Sequence, residues 1–440
     1  MRHHREILKL GLPIAIGQLG TIILTFADTM MVGRYGTSEL AAASFVNSVF
    51  NLLTMILLGY SYGITPLIAM HHGRGELSEA GAVLRRGLKV NLLFGGGLMT
   101  CFALFYFALD HVGQPLELLP LMKPYYLTVW MSVWFVIVFG AIRQFVDGTA
   151  ATRIPMWFLL SGNLLNILLN WLLIFGVGIF PEWGLFGAGV ATLVSRAAMA
   201  AGLAALVFFG RKYAPYRSAP SRMVCTGVEI HRRSWPVGAQ LGLETFAFTF
   251  SAVMAGWLGS VELAAYQVLI TLGMLGFTLY YSFGASLNIR ISHFLGLSDL
   301  SQAASACRSG RNVLLGNATF SSLLFFLGGG TLIGFFTPDI AVVSTAVGII
   351  PALILYQYAD AMQVCYANAL RATGHVMPMT WIAFFSYLVV GIPSSYVLAF
   401  SFGWGLLGIY LSFTLCLFVA AVSFFLFYRR GLQRYASSPR

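Results

Sequence analysis

Three acidic side chains stand inside long apolar stretches of this sequence, where a charged group is costly. Asp28 lies in GQLGTIILTFADTMMVGRYG at residues 17–36, Glu244 in QLGLETFAFTFS and Asp360 in YQYADAMQ. A charged carboxylate at the centre of a bilayer costs roughly 2.5–3.5 kcal/mol or more, and such groups are functional by default. We therefore take these three carboxylates as candidate ion-coupling residues.

The residues around Asp28 repeat at helical spacing. Each residue of an α-helix turns by about 100°, so positions i, i+3, i+7 and i+10 lie on one face. Gln18, Thr21, Thr25 and Asp28 occupy these four positions. The stripe that they form must face protein or water rather than lipid, which makes the three neutral residues candidate neighbours of a cavity or cation site.

Similar spacing groups polar residues in two later segments: Gln240, Glu244 and Ser251, and then Tyr356, Asp360 and Gln363. A buried carboxylate can bind a proton, or it can hold Na⁺ together with oxygens of Tyr, Thr, Gln or the backbone. The sequence leaves both chemistries open, and it also allows a carboxylate that only supports helix packing. If Na⁺ is the ion, Glu244 and Asp360 are its candidate ligands, with Gln240, Tyr356 and Gln363 beside them.

Other polar residues of the apolar segments admit two interpretations each. Asn163, Asn166 and Asn170 share a helix face and either line a cavity or join helices by hydrogen bonds. Arg143 and Asp147 stand four residues apart, so they predict an ion pair that either locks a gate or has a structural role only.

Composition defines the class of protein. Of the 440 residues 58% are hydrophobic and only 9% are charged, against about 25% charged in soluble domains. The chain is therefore expected to cross a lipid bilayer many times. The net charge of +11 is spread between apolar segments without an aromatic and basic module, which argues against nucleic-acid binding. The histidines and cysteines form no catalytic or metal-binding motif, so we do not expect an enzyme. We also expect no cofactor other than the coupling ion.

A helix needs about 20 apolar residues to cross the bilayer, and the sequence contains twelve such runs. They lie at approximately 8–33, 41–68, 88–110, 119–147, 154–178, 184–210, 234–257, 262–292, 309–335, 340–370, 377–400 and 406–428. We therefore predict an all-α polytopic membrane protein. Lys and Arg concentrate before the first run, in alternate loops and after the last, so both termini are predicted to be cytoplasmic.

The two halves of the sequence resemble each other at a shift of 223 residues. Pro13 then aligns with Pro236, and GRYGTSELAA at 33–42 aligns with GWLGSVELAA at 256–265. Six runs in each half give a parallel repeat, which is typical of transporters that alternate access by rocking. The predicted domains are a six-helix bundle at 1–210, a cytoplasmic linker at 211–233 and a second six-helix bundle at 234–440.

Longer motifs resemble the multidrug and toxic compound extrusion (MATE) transporters, and the NorM-like branch in particular. They are ADTMMVGRYG, RQFVDGTAATRIPM, ALRATGHVMPM, PVGAQLGLETFAF and YADAMQVCYANALR. The resemblance implies a V-shaped pair of bundles in the bacterial inner membrane that exports cationic, often aromatic compounds in exchange for Na⁺ or H⁺. It also implies that Asp28 is the ion-linked carboxylate of the first bundle, and that Glu244 and Asp360 form the cation site of the second. Asp147 stands where that branch usually has Glu.

Three alternatives remain at this point. A lipid-linked-sugar flippase of the same superfamily would need a strongly cationic cavity, whereas the charge predicted at mid-membrane is mainly acidic. A membrane-embedded enzyme would need a group of catalytic residues, and none is recognisable in this sequence. A passive channel would conduct without any opposing ion gradient. We expect small, cationic substrates and a monomer in the bilayer.

Overall fold

The computed structural model describes residues 2–111, 115–217 and 226–437, and within these ranges the chain forms helices and no strands. Twelve helical segments of the described chain are long and apolar enough to cross a membrane. The predicted all-α fold with twelve membrane-spanning segments is therefore confirmed. The α-helices are α1 (Arg2–Tyr35), α2 (Thr37–Tyr62), α3 (Thr65–Gly73), α4 (Leu77–Ala108), α5 (Leu119–Gly148), α6 (Arg153–Phe175), α7 (Gly184–Phe209), α8 (Gly227–Leu258), α9 (Ser260–Gly296), α10 (Leu300–Gly334), α11 (Ile340–Ala372), α12 (Met377–Ala383), α13 (Ile392–Tyr396) and α14 (Gly405–Ser437).

The second spanning segment is two helices rather than the single run predicted at 41–68. α2 ends at Tyr62 and α3 begins at Thr65, with Pro66 in its first turn. Proline lacks a backbone N–H and favours the start of a helix, so the chain begins a new helix at this point. Gly63 in the break also leaves room for a neighbour, because a Cβ there would lie 2.5 Å from the backbone of Ser234.

The eleventh spanning segment, Met377–Ser401, is also irregular. α12 and α13 alternate with two π-helical stretches, Phe384–Gly391 and Val397–Ser401. Pro393 lies in the first turn of α13, and a proline inside a long helix removes one backbone donor from the hydrogen-bond ladder. π-Helical turns frequently occur at functional sites, and the first of these stretches carries Tyr387.

The described chain forms two compact units. The first unit is Ile16–Gly238, and the second unit combines the residues up to Ala15 with those from Ala239 onwards. The opening turns of α1 thus belong with the second unit, whereas the repeat places them in the predicted first half. Residues 218–225 of the predicted linker lie outside the described residues, and its other described residues belong to the first unit.

Specific contacts fix the opening turns of α1 in the second unit and the opening turns of α8 in the first unit. In the second unit, the Oγ of Ser286 donates a hydrogen bond to the carbonyl of Ile7 over 3.0 Å. In the first unit, the hydroxyl of Tyr60 and Nδ1 of His231 are 2.8 Å apart. Separate apolar clusters form the cores, for example around Phe145 in the first unit and around Tyr266 in the second.

Close packing of α4 gives a testable prediction. A Cβ at Gly81 would lie 1.8 Å from the carbonyl oxygen of Tyr216, whereas a Cβ at Gly97 of the same helix would meet nothing within 4 Å. We expect Gly81→Ala to lower stability by about 1–3 kcal/mol through overpacking. Gly97→Ala is expected to be neutral or to gain up to about 1 kcal/mol from helix propensity. Thermal unfolding of both variants in detergent measures this difference, and equal melting temperatures would show that the close contact has no energetic consequence.

Candidate ion-coupling sites

Asp28 of the first unit is hydrogen-bonded to α6. Nδ2 of Asn170 donates to Oδ1 of Asp28 over 2.5 Å, and with its amide group turned, Asn166 also donates to this oxygen over 2.9 Å. In the same orientation the amide oxygen of Asn166 accepts a hydrogen bond from Oγ of Ser195 on α7, 3.1 Å away. Two of the three predicted asparagines thus meet the candidate carboxylate, and they also join α6 to its neighbours.

Asn163 lies apart from this group. It is buried, its Nδ2 has no hydrogen-bond partner within the described ranges, and it faces Gly20 of α1. Thr21 and Thr25 donate their hydroxyl hydrogens to carbonyls of α1 itself, those of Gly17 and Thr21 respectively. Of the predicted stripe on α1, only the end at Thr25 and Asp28 reaches the cavity described next, and a role for Gln18 and Thr21 stays a prediction.

A cavity of about 250 Å³ opens beside Asp28. Its polar lining residues are Thr25, Asp28, Thr29, Ser44, Asn47, Asn51, Thr54, Thr192 and Arg196. Phe50 and Tyr125 contribute aromatic surface. Gln18 and Thr21 do not line this cavity. The first-unit cavity thus combines an acid, a base, neutral hydrogen-bonding groups and aromatic rings, which suits a polar guest with an aromatic or cationic part.

Four of these lining residues were missed in the sequence although a signal was present. Ser44, Asn47, Asn51 and Thr54 of α2 follow the same i, i+3, i+7, i+10 spacing that marks the stripe on α1. Their segment contains no charged residue, so nothing drew attention to it. Neutral polar residues at helical spacing are therefore as good an indication of a cavity-lining face as a stripe that contains an acid.

Arg196 lines the same cavity as Asp28. Its Nη1 donates to Oγ of Ser132 over 2.8 Å, and it interacts electrostatically with Asp28. The positive charge of Arg196 and the negative charge of Asp28 offset each other in the cavity. Neutralising Asp28 would therefore leave the positive charge of Arg196 uncompensated there.

In the second unit, Glu244 and Asp360 are both almost completely buried, with 7% and 1% of their surface exposed. Nε2 of Gln240 donates to Oε2 of Glu244 over 3.0 Å. The hydroxyl of Tyr280 donates to Oδ2 of Asp360 over 2.6 Å. The two carboxylates also interact electrostatically with each other, so they form one acidic site rather than two separate ones.

Two tyrosines complete this second-unit acidic site. The hydroxyl of Tyr356 interacts with Asp360, and that of Tyr387 interacts with Glu244 and accepts a hydrogen bond from Nε2 of Gln363 over 2.8 Å. Sequence reasoning named Tyr356 and Gln363 but missed Tyr280 and Tyr387. Neither of these lies near another candidate in the sequence, and only the packing of α9 and of the π-helical stretch brings them to the carboxylates.

Several buried oxygens of this region have no hydrogen-bond donor. Within the described ranges, Oδ1 of Asp360, Oε1 of Gln240 and Oε1 of Gln363 are all unpartnered. Buried polar atoms are normally satisfied, and an exception calls for an explanation such as a water or an ion. Oxygens of carboxylates and amides are ligands for hard cations, so this donor set fits Na⁺ as well as it fits an added proton on a carboxylate.

Arg143 and Asp147 of α5 form the predicted ion pair, with 3.4 Å between Nε and Oδ2. Both side chains are largely buried, and Oδ1 of Asp147 accepts no hydrogen bond from a described residue. The pairing itself is therefore present, whereas its role as a gate stays a prediction.

This buried pair predicts a non-additive effect on stability. Asp147→Asn would leave Arg143 as a buried, unpaired charge, which costs about 3–5 kcal/mol. In the double variant Arg143→Met with Asp147→Asn no charge is left, so we expect a smaller loss than in the single variant. Thermal unfolding of wild type, both singles and the double in detergent measures the coupling, and additive losses would contradict it.

The chain can now be placed among known proteins. Its fold and sites define a multi-pass helical membrane protein built from two repeated halves. The family model MatE matches residues 13–172 and, 223 residues further on, a second time at 236–397. These two matches cover most of the chain, and the chain therefore belongs to the MatE family of transporters.

Individual relatives agree with this assignment. The chain is 28% identical over 430 residues to the multidrug resistance protein NorM of Vibrio cholerae, covering 95% of this chain and 93% of the relative. It is 28% identical over 411 residues to the multidrug resistance protein PmpM of Pseudomonas aeruginosa, covering 90% and 83%. The crystal structure of the eukaryotic MATE transporter AtDTX14 superposes with a TM-score of 0.87 at 20% identity, covering 99% of both chains. The resemblance noted in the sequence is thus confirmed.

Proposed function

We propose that this protein is a secondary antiporter that exports cationic or amphipathic drugs and toxic compounds in exchange for Na⁺ or H⁺. The observation that carries the proposal is the second-unit acidic site, where two buried carboxylates stand beside oxygens without donors. An intramembrane acid of this kind links a conformational equilibrium to an ion gradient. The printed names of the relatives, multidrug resistance proteins, support drugs as cargo.

The two units have different parts in this mechanism. In the second unit, Glu244 and Asp360 would hold the coupling ion, and Gln240, Gln363 and Tyr356 would complete its surroundings. In the first unit, the carboxylate of Asp28 would attract the positive charge of the cargo or take up a proton, while Phe50 and Tyr125 offer aromatic faces. Exchange requires that the bound ion and the bound cargo favour different conformations of the protein, through different affinities for the two states.

The proposal includes a setting. We propose a monomer in the bacterial inner membrane with both termini in the cytoplasm, because basic residues concentrate in the first turns of α1, between α7 and α8 and in the last turns of α14. No catalytic step is proposed.

One observation favours the flippase alternative. Arg196 lines the first-unit cavity, and an arginine suits a pyrophosphate group. Against it stands the acid Asp28 in the same cavity, together with the acidic pair in the second unit.

Transport in proteoliposomes tests the proposal. Purified protein is reconstituted, a Na⁺ or H⁺ gradient is imposed in separate experiments, and the movement of a cationic dye is followed. The proposal predicts that one of the two gradients drives uptake of the dye against its own gradient. A dye flux that does not depend on either ion gradient indicates a channel. Transport of a lipid-linked pyrophosphate, without transport of the dye, indicates the flippase.

A further inference from the structure

The first unit contains a second cavity, which we call the aromatic cavity, with a volume of about 230 Å³. Its walls come from α4, α5, the last turn of α7 and the 3₁₀-helix Arg211–Tyr216. Leu84, Phe145 and Val207 supply apolar surface, and Tyr213 and Tyr216 add two further rings. It shares no lining residue with the cavity at Asp28, so the proposed transport mechanism does not use it.

Two arginines also line the aromatic cavity, Arg85 of α4 and Arg217. Arg85 is exposed, and Arg217 donates hydrogen bonds to the carbonyls of Val207 and Gly210 over 2.9 and 3.1 Å. Neither arginine forms an ion pair with an acid of the described ranges. The cavity therefore combines apolar walls with two positive charges that no described carboxylate compensates.

The phenol of Tyr213 adds a hydrogen-bond donor. Its ring is almost completely buried, and its hydroxyl has no hydrogen-bond partner of standard geometry in the described chain, although it lies near Thr149 and interacts electrostatically with Asp147. Burial raises the pKa of this phenol to about 12, so the group is a neutral donor at physiological pH. A buried donor without an acceptor suits an anionic oxygen as its partner.

The cavity lies where a lipid head group would be found. α4 carries Arg85, Arg86 and Lys89 ahead of its apolar part, and α7 ends at Phe209, with Arg211 and Lys212 following after Gly210. Basic residues and tyrosines at the ends of spanning helices mark the membrane interface.

We propose that the aromatic cavity binds an anionic membrane lipid. Arg85, Arg217 and the hydroxyl of Tyr213 hold the phosphate, and an acyl chain lies along Leu84, Phe145 and Val207. Arginine matches phosphate oxygens with paired hydrogen bonds, and basic pockets between spanning helices bind such head groups. Apolar walls behind the two charges fit an amphiphile better than a free anion, because a small anion would leave this surface uncovered.

Lipid binding to the purified full-length protein tests the proposal. Native mass spectrometry in detergent gives apparent affinities for phosphatidylglycerol and phosphatidylcholine, with sn-glycerol 3-phosphate as the head group alone. We expect tighter binding of phosphatidylglycerol than of phosphatidylcholine. Arg85→Gln should weaken the phosphatidylglycerol complex about fivefold, which corresponds to about 1 kcal/mol for one arginine at the interface.

Two further variants distinguish the contribution of the arginine charges from that of the apolar volume of the cavity. Val207→Phe fills the apolar part and should weaken phosphatidylglycerol binding although both arginines remain. Arg153→Gln removes an exposed arginine at the start of α6 that does not line the cavity, so it should bind like wild type. Equal affinities for the two lipids, or equal effects of Arg85→Gln and Arg153→Gln, would overturn the proposal. Competition by sn-glycerol 3-phosphate as strong as by the whole lipid would also overturn it, since a site for a free phosphate ester would then be indicated.

Discussion

Asp360→Asn is expected to reduce ion-driven export of a cationic dye at least tenfold while the protein stays folded. Asparagine has nearly the same shape as aspartate and can still accept the hydrogen bond from Tyr280, so packing around α11 should persist. The charge that holds a proton or Na⁺ is lost, and Glu244 alone is left to bind the ion. A tenfold loss of rate corresponds to about 1.4 kcal/mol of activation free energy. Initial rates of dye transport in proteoliposomes measure this effect.

The matched control is the same substitution at Asp339, at the start of the same helix. This exposed aspartate accepts a hydrogen bond from the backbone N–H of Ala341, and asparagine caps helices as well as aspartate does. Asp339→Asn should therefore transport like wild type. Wild-type rates in Asp360→Asn, at equal amounts of reconstituted protein, would remove Asp360 from the coupling mechanism.

Asp28→Asn is expected to cost at least tenfold in export, for a different reason. The substitution turns an acid beside Arg196 into a neutral amide, so the first-unit cavity becomes net positive and repels a cationic cargo. Removing the second charge as well, in Asp28→Asn with Arg196→Gln, should recover part of the dye binding. It should not recover coupling to the ion. Dye binding in detergent and dye transport in proteoliposomes separate these two effects.

Asp110→Asn is the control for Asp28→Asn in the first unit, because Asp110 is exposed and pairs with Lys123 over 2.8 Å. Exposed ion pairs contribute little to stability, so transport should be unchanged. A double variant that binds dye no better than Asp28→Asn would contradict the electrostatic explanation. Loss of transport in Asp110→Asn would show that the assay responds to something other than the cavity.

Periodicity in the sequence predicted the twelve-span fold and the repeat because the apolar runs are long and the two halves keep one offset. It did not predict the break at Gly63 or the π-helical stretch that carries Tyr387, since the period of apolar residues indicates which face is buried and not where the backbone hydrogen-bond pattern changes. Helical spacing predicted that Gln240 lies beside Glu244 and that Tyr356 lies beside Asp360, because each pair lies on a single helix. Helical spacing cannot identify partners that lie on different helices. Tyr280, which donates to Asp360, was therefore not predicted at all. Asn170 was predicted as a candidate, but its contact with Asp28 was not.

The most direct test of ion coupling is the release of the ion when cargo binds to the purified protein. A cationic dye is added to wild type in detergent, and released protons are followed with a pH indicator in weak buffer, or released radioactive sodium by filtration. If acids in the two units exchange an ion for cargo, wild type should release ions as it binds dye, and the double variant Asp28→Asn with Asp360→Asn, which keeps only Glu244, should release far fewer ions per dye bound. Dye binding by wild type without any release of protons or sodium would contradict the mechanism, and so would undiminished release from the double variant.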